Sequence, residues 1–322
     1  MKHPNSKLLL YIAGADACAA ATEYVDRREH SDLYERVLRF EGYEQHPRHV
    51  GLQPGRYTDD TEMSIANARA ITMIAQNPGL YATDERIAWL LRSLYVEEFQ
   101  KGGKRQGYSR AFQPILEQCE DGTDFERLVK PDSTKNGAAM RAVPMGVYAK
   151  PWRVVQMALL QAALTHDTPE GRFSACAVAL MSHLALHTDV PLNRIPERCA
   201  DMLILHAAVP ETARFRYTLE KSWDGRAVQD RDDASVGLTT VWAVAHLLRT
   251  ETSLMSIMRR LIEWGGDTDS VAAIAWGIAS TRLQDEVLPD FLARDLELTR
   301  PDLGAGRLIQ VSTELMRTFR ST

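Results

Sequence analysis

Two short runs hold the side chains best suited to chemistry: TDDT at 58–61 and GGDTDS at 265–270. Aspartates packed this closely repel one another unless a cation sits among them, so a shared metal centre is the first chemistry to consider. Brought together by the fold, the two runs offer oxygen ligands for two hard divalent ions, and the expectation is a metallohydrolase. A plainer use of the first run is helix capping. Asp59 stands three residues before Glu62, as in a capping box, and Met63, Ala66, Ala70 and Ile74 follow down one helical face. The second run strains that explanation. A cap needs one acid, whereas here two acids follow two glycines and lead into small residues at 272–279 that neighbours can approach closely.

Other constellations carry less. His183 and His187 are one helical turn apart, but no glutamate stands beside the first, as a zinc-binding HExxH helix requires, and their surroundings are apolar. His46 and His49 fall in a short polar loop and read as solvated. Arg231, Asp232 and Asp233 read as a charged loop whose place before Ser235 and Gly237 brings it toward the rim of a site.

The elements that must position these residues are helices. Apolar residues recur at spacings of three and four over 8–28, 60–76, 84–100, 151–165, 168–187, 238–249, 254–264, 269–283 and 303–319, and no stretch reads convincingly as a strand. Asn77, Pro78 and Gly79 end one helix, and Thr168, Pro169 and Glu170 open another. Residues 190–196 and 223–226 read as loops. No repeat or flexible linker divides the chain, so the expectation is one all-α domain over residues 1–322.

With 322 residues, 45% of them hydrophobic, the chain can bury a large core. A net charge of -5 argues against a general nucleic-acid binder, which normally shows a basic face. Cys18, Cys119, Cys176 and Cys199 are scattered without a CxxC pair, which suits a reduced, cytoplasmic protein. Lys2 and Lys7 before the apolar run 8–15 imitate a secretory signal, but Asp16 breaks the imitation and a buried first helix fits better. No apolar stretch is long enough for a membrane span.

An ordered set of motifs then makes a family resemblance specific. They are GADA at 14–17 with Glu23 following, TDDT at 58–61, GYS at 107–109, NGAAMRAVPMG at 136–146, TH at 165–166 and GGDTDSVAAIA at 265–275. In these motifs the chain resembles the ADP-ribosylglycohydrolase family. The resemblance implies a compact all-α fold around two magnesium ions, with manganese as the other suitable hard cation, and removal of ADP-ribose from a modified side chain or small molecule. It also implies Thr58, Asp59, Asp60, Asp267, Asp269 and Ser270 as metal ligands. Oxygen donors of this kind suit magnesium or manganese rather than zinc.

Catalysis would be water attack at the anomeric carbon of the terminal ribose, with the metals holding the sugar and activating the water. Asp60 and Asp269 are the acids expected to orient or deprotonate that water. By the same resemblance Glu23 either gates the site or contacts the water. Gly107 and the stretch Ser133 to Gly137 could offer amides to the pyrophosphate, although Asn136 and Gly137 also suit a turn into the next helix. Tyr108 reads equally as a ligand contact or a packing residue. His166 would bond near the ribose, and Arg141 would meet phosphate or a buried acid.

Two departures qualify the match. Ala19 and Ala21 stand where the family usually has glycine and proline, which predicts a stiffer, more helical approach to Glu23. Lys135 stands where relatives carry a small residue. Three functions remain open: hydrolysis of ADP-ribose on a modified protein, arginine-linked as a first case; hydrolysis of free ADP-ribosyl compounds or an ADP-ribosylated nucleic acid; and non-catalytic binding.

Overall fold

A computed structural model describes residues 1–206 and 212–320 and shows an all-α architecture with no strand among the described residues. Ten helices exceed nine residues: α1 (Leu8–Ala19), α2 (Asp59–Gln76), α3 (Asp84–Lys101), α4 (Pro151–Ala162), α5 (Pro169–His187), α6 (Ile195–His206), α7 (Val236–Thr250), α8 (Leu254–Trp264), α9 (Thr268–Ala279) and α10 (Ala305–Arg320). No helix among the described residues is long and apolar enough to cross a membrane.

The centre is α1 lying along α9; every residue of α9 is buried, and all of α1 except Leu10. Gly277 allows that closeness, since a Cβ there would lie 3.0 Å from side-chain carbons of both Ile12 and Val143. Helices α2, α5, α7 and α10 surround this pair, and one apolar cluster runs from Leu8 to Phe319. Full burial of each large aliphatic side chain in such a cluster contributes about 1.5–3 kcal/mol. A buried carboxylate ties the outer layer. Glu98 on α3 takes Arg307 of α10 at 2.7 Å and Arg69 of α2 at 2.5 Å.

Two boundaries differ from those expected. Residues 190–196 are not a continuous loop: Pro196 sits in the first turn of α6, where its missing N–H costs nothing. The first helix does not run to residue 28 either. It ends at Ala19 and tightens into a 3-10 turn, Ala20–Thr22, because outside groups take its last carbonyls; the Thr268 hydroxyl donates to Ala19 O at 2.9 Å. Glu23 then leaves the helical conformation and Tyr24 adopts a φ of 47°. The apolar run that imitates a leader is therefore the central core helix, and Asp16 lies at its heart.

His183 and His187 stack at 4.6 Å, with main-chain carbonyls of Tyr148 and Val147 at 2.9 and 3.0 Å from a ring nitrogen of each. Those bonds give the pair a structural role on α5. The four cysteines are buried and free.

Candidate metal centre

Asp16 is fully buried and is held by donors at the start of α2. The Thr58 amide reaches its two oxygens at 3.1 and 3.0 Å, the Thr61 amide reaches Oδ2 at 3.2 Å, and the Thr61 hydroxyl donates to Oδ2 at 2.5 Å. Free N–H groups of a helix N-terminus suit a carboxylate in this way. Thr58, not Asp59, is the N-cap of α2: its hydroxyl lies 3.4 Å from the Asp60 amide and 3.0 Å from Asp60 Oδ2. The capping box expected between Asp59 and Glu62 does not form. Glu62 instead takes Arg105 Nε at 2.5 Å and the Tyr108 hydroxyl at 2.9 Å, because charge-assisted bonds to a buried guanidinium outweigh one amide.

The second acidic run is shaped by its glycines. Gly265 and Gly266 have φ of 74° and 84°, and a Cβ on Gly266 would collide with the backbone of Val228. The close approach lets Asp267 N donate to Val228 O at 2.8 Å, which docks the loop and starts α9. Asp267 occupies the N-cap position without capping. Its Oδ2 accepts instead from Tyr24 OH at 3.1 Å and Asn136 Nδ2 at 3.2 Å.

These two helix starts and α1 meet. One carboxylate oxygen each from Asp16, Asp60 and Asp269, all buried, lie within 4.8 Å of one another, so the three could hold a metal ion. Asp60 Oδ1 and Asp267 Oδ1 are also buried without a hydrogen-bond partner. Orphaned anionic oxygens beside a carboxylate triad fit a hard divalent cation; the donor set has neither the imidazole nor the thiolate that favours zinc. Thr58 and Ser270 border the cluster, and the Ser270 hydroxyl acts on Asp60. Asp16 belongs to this set, although the sequence reading gave it no ligand role. An acid inside an otherwise apolar helix was the available signal.

The electrostatics agree with the geometry. Burial lifts Asp16 to about 6, against the bonds from Thr61 and Thr58. Burial first and neighbouring acids second raise the others well above the carboxylate range: Asp60 acts on Asp59, Asp16 on Asp60, Glu23 on Asp269, and Asp267 on Glu23. A divalent cation would reverse these shifts. Carboxylates raised above their unfolded value of about 4 stabilise the metal-free fold fully below that pH and lose the contribution as pH rises through the folded values. In chelator the protein is therefore expected to melt higher at about pH 5.5 than at about pH 8, with added magnesium closing the gap. Thermal denaturation checks this, and a chelated protein that gains stability toward pH 8 would contradict it.

The remaining predicted site residues lie around this cluster at different depths. Glu23 is partly exposed and within electrostatic reach of Asp267, Asp59 and Asp16. Gly107, at φ 136°, lies against the Thr58 side chain, where a Cβ would come within 3.2 Å of Thr58 Cβ. Tyr108 is buried with its hydroxyl on Glu62. Asn136 bridges Asp267 and Thr240, at 3.2 and 3.1 Å, and so orients an acid of the cluster. Gly137 packs against the His166 ring, where a Cβ would lie 2.7 Å from Cε1. His166 Nδ1 lies 2.6 Å from the Thr165 hydroxyl, and burial, then Arg141 and Lys135, hold it down at about 3, so it is a neutral imidazole at ordinary pH. Ser133 sits beside it, its carbonyl bonded to the Thr168 hydroxyl at 2.8 Å. Arg141 is buried against Gln161 (2.5 Å), Thr165 (2.7 Å) and the Tyr95 ring (4.8 Å), with no acid as a hydrogen-bonding partner among the described residues. Arg231 pairs with Asp224 at 2.9 Å and stacks over Trp223 at 4.1 Å.

A helical protein whose buried carboxylates meet at two helix starts defines a class of fold able to hold hard cations in its core. The profile of the ADP-ribosylglycohydrolase family matches residues 8–319, and the chain belongs to that family. It is 24% identical over 298 residues to the ADP-ribosyl-[dinitrogen reductase] glycohydrolase of Rhodospirillum rubrum, with 90% of each chain covered. In fold it is similar to a solved ADP-ribosylglycohydrolase-related protein complex, with a TM-score of 0.66, 19% identity and coverage of 97% of this chain and 96% of that one. Membership makes the chain a glycohydrolase by class.

Proposed function

We propose that this protein removes ADP-ribose from a modified protein side chain, arginine-linked in the first instance, in a reaction that depends on magnesium or manganese. The observation that carries the reading is the convergence of Asp16, Asp60 and Asp269 within 4.8 Å, beside unpartnered oxygens of Asp60 and Asp267. A protein substrate draws support from the relative in Rhodospirillum rubrum, whose name specifies a modified dinitrogen reductase.

Asp16, Asp60 and Asp269, with Asp59, Asp267, Thr58 and Ser270 around them, would hold two such ions. When bound, these would supply Lewis-acid activation of water and a hold on sugar hydroxyls. The chain's own groups do the rest. Cleavage leaves positive character on the ribose ring, and a packed cluster of carboxylates provides the negative field that stabilises it. Water forms the new bond to the anomeric carbon as the bond to the modified group breaks, and the leaving group departs with the electron pair. The proton lost by water goes to a carboxylate: Asp60 and Asp269 are the first candidates, and Glu23, whose carboxyl is raised by desolvation and then by Asp267, is the third. Neutral His166 and the amides of Gly107 and Gly137 orient the rest of the ligand, whereas the Ser133 amide already donates to the Thr165 carbonyl at 3.4 Å. The Asn136 amide instead positions Asp267.

Arginine-, serine- and nucleotide-linked ADP-ribose should be offered to the purified chain with magnesium and then with chelator. Metal-dependent release from a modified protein is expected. Release only from small or nucleic-acid substrates would move the function to those compounds, and binding without release from any would leave a non-catalytic binder.

A further inference from the structure

We propose that His46 is a positioning residue for Glu23, fixing the backbone that carries this carboxylate toward the acidic cluster. The inference rests on the reading of Glu23 as a proton-transfer group, and it corrects an expectation: His46 is not solvated but 2% exposed.

His46 has a defined proton arrangement. Its Nδ1 receives the backbone N–H of Arg48 at 3.0 Å and of His49 at 2.8 Å, so Nδ1 is the acceptor and Nε2 carries the hydrogen. That Nε2–H donates to the Glu23 carbonyl at 3.0 Å. The same loop grips the next residue, since Arg48 Nη2 donates to the Tyr24 carbonyl. From the opposite side Tyr24 N donates to Gly266 O at 2.8 Å and Tyr24 OH to Asp267 Oδ2 at 3.1 Å. Tyr24 holds its unusual φ of 47° between these two anchors.

The consequence is geometric. Helix α1 and its 3-10 turn end at Thr22, so the direction of the Glu23 side chain is set by where its own carbonyl and the Tyr24 peptide are pinned. One pin is the acidic loop of Gly266 and Asp267. The other is the 46–48 loop, which contributes no carboxylate of its own. Among the described residues, His46 is the side chain that both organises that loop, through Nδ1, and holds Glu23, through Nε2.

The two ring nitrogens can be separated by substitution in the full-length protein. His46→Asn keeps an acceptor near Nδ1 and removes the donor to Glu23; His46→Gln keeps a donor near Nε2 and removes the loop acceptor. With an ADP-ribosylated protein and magnesium, His46→Asn is expected to lower kcat by about a hundredfold at near-native KM, as a misplaced catalytic group does. Its manganese affinity and melting temperature should stay near wild type, and His46→Gln should recover most of kcat. The proposal is overturned by native kcat in His46→Asn. It is equally overturned if both variants lose kcat in proportion to melting temperature, since that pattern marks loop stability alone. Glu23→Gln is the control: if that variant keeps full kcat, the reading of Glu23 itself fails and this proposal with it. Loss in Glu23→Gln alongside native His46→Asn would sink the positioning role and leave the reading of Glu23 standing.

Discussion

Replacing Asp269 by asparagine is expected to reduce release of ADP-ribose by about a thousandfold or more, roughly 4 kcal/mol of lost transition-state stabilisation. The same variant should melt higher than the wild type in chelator. Asp269 is lifted well above the carboxylate range by burial first and then by Glu23, Asp60, Asp267 and Asp16, so its ionisation works against the metal-free fold. Asparagine keeps its shape and removes the charge. Activity and metal-free stability therefore move in opposite directions, which simple misfolding cannot produce. Asp60→Asn should behave alike, because Asp60 Oδ1 is buried without a partner and Asp16 and Asp267 press on the group. Steady-state rates beside melting curves in chelator and in magnesium decide the point. A variant that kept native kcat, or lost stability with and without metal alike, would contradict it.

Arg105→Met is expected to destabilise the fold by about 3–5 kcal/mol, the cost of stranding buried charges. Arg105 is nearly inaccessible and joins Glu62 and Glu297 at 2.5 Å each, while Nη1 also meets the Tyr57 carbonyl at 2.5 Å and the guanidinium lies 4.1 Å over the Tyr57 ring. Removing it leaves buried Glu62 without a cation and buried Glu297 with only Arg56, at 3.6 Å, next to the residue that precedes Thr58. The deficit has a pH signature. Burial already lifts Glu62 to about 7 against Arg105, so protonation of Glu62 should relieve part of the loss as pH falls below neutrality. Urea unfolding at acid and alkaline pH tests this; a loss that is small or independent of pH would show that Arg105 packs without compensating charge.

The long helices were legible because their apolar residues repeat with helical period and their ends carry ordinary signals such as Thr168 with Pro169. The two acidic runs were legible as a pair because capping cannot use four aspartates. Asp16 escaped a ligand role because its neighbours are apolar, and only the packing of α1 against the start of α2 reveals why an acid belongs there. Glu62 matched a capping box locally, yet Arg105, forty-three positions away, claimed it; local patterns do not register a distant partner. The burial of His46 is hidden for the same reason, since polar loop composition says nothing about a carbonyl twenty-three positions earlier that takes the ring's Nε2–H. Helical periodicity continues past Ala19, but the helix stops there because the Thr268 hydroxyl that takes the Ala19 carbonyl comes from the other end of the chain.

Calorimetric titration of manganese into chelator-treated protein tests the central claim most directly. Saturable binding of two ions is expected, with release of protons to the buffer as the raised carboxylates ionise, and with binding strongly weakened in Asp16→Asn and Asp269→Asn. Binding that is not saturable, or that is equally tight in both variants, would contradict a metal centre built from these three helix segments.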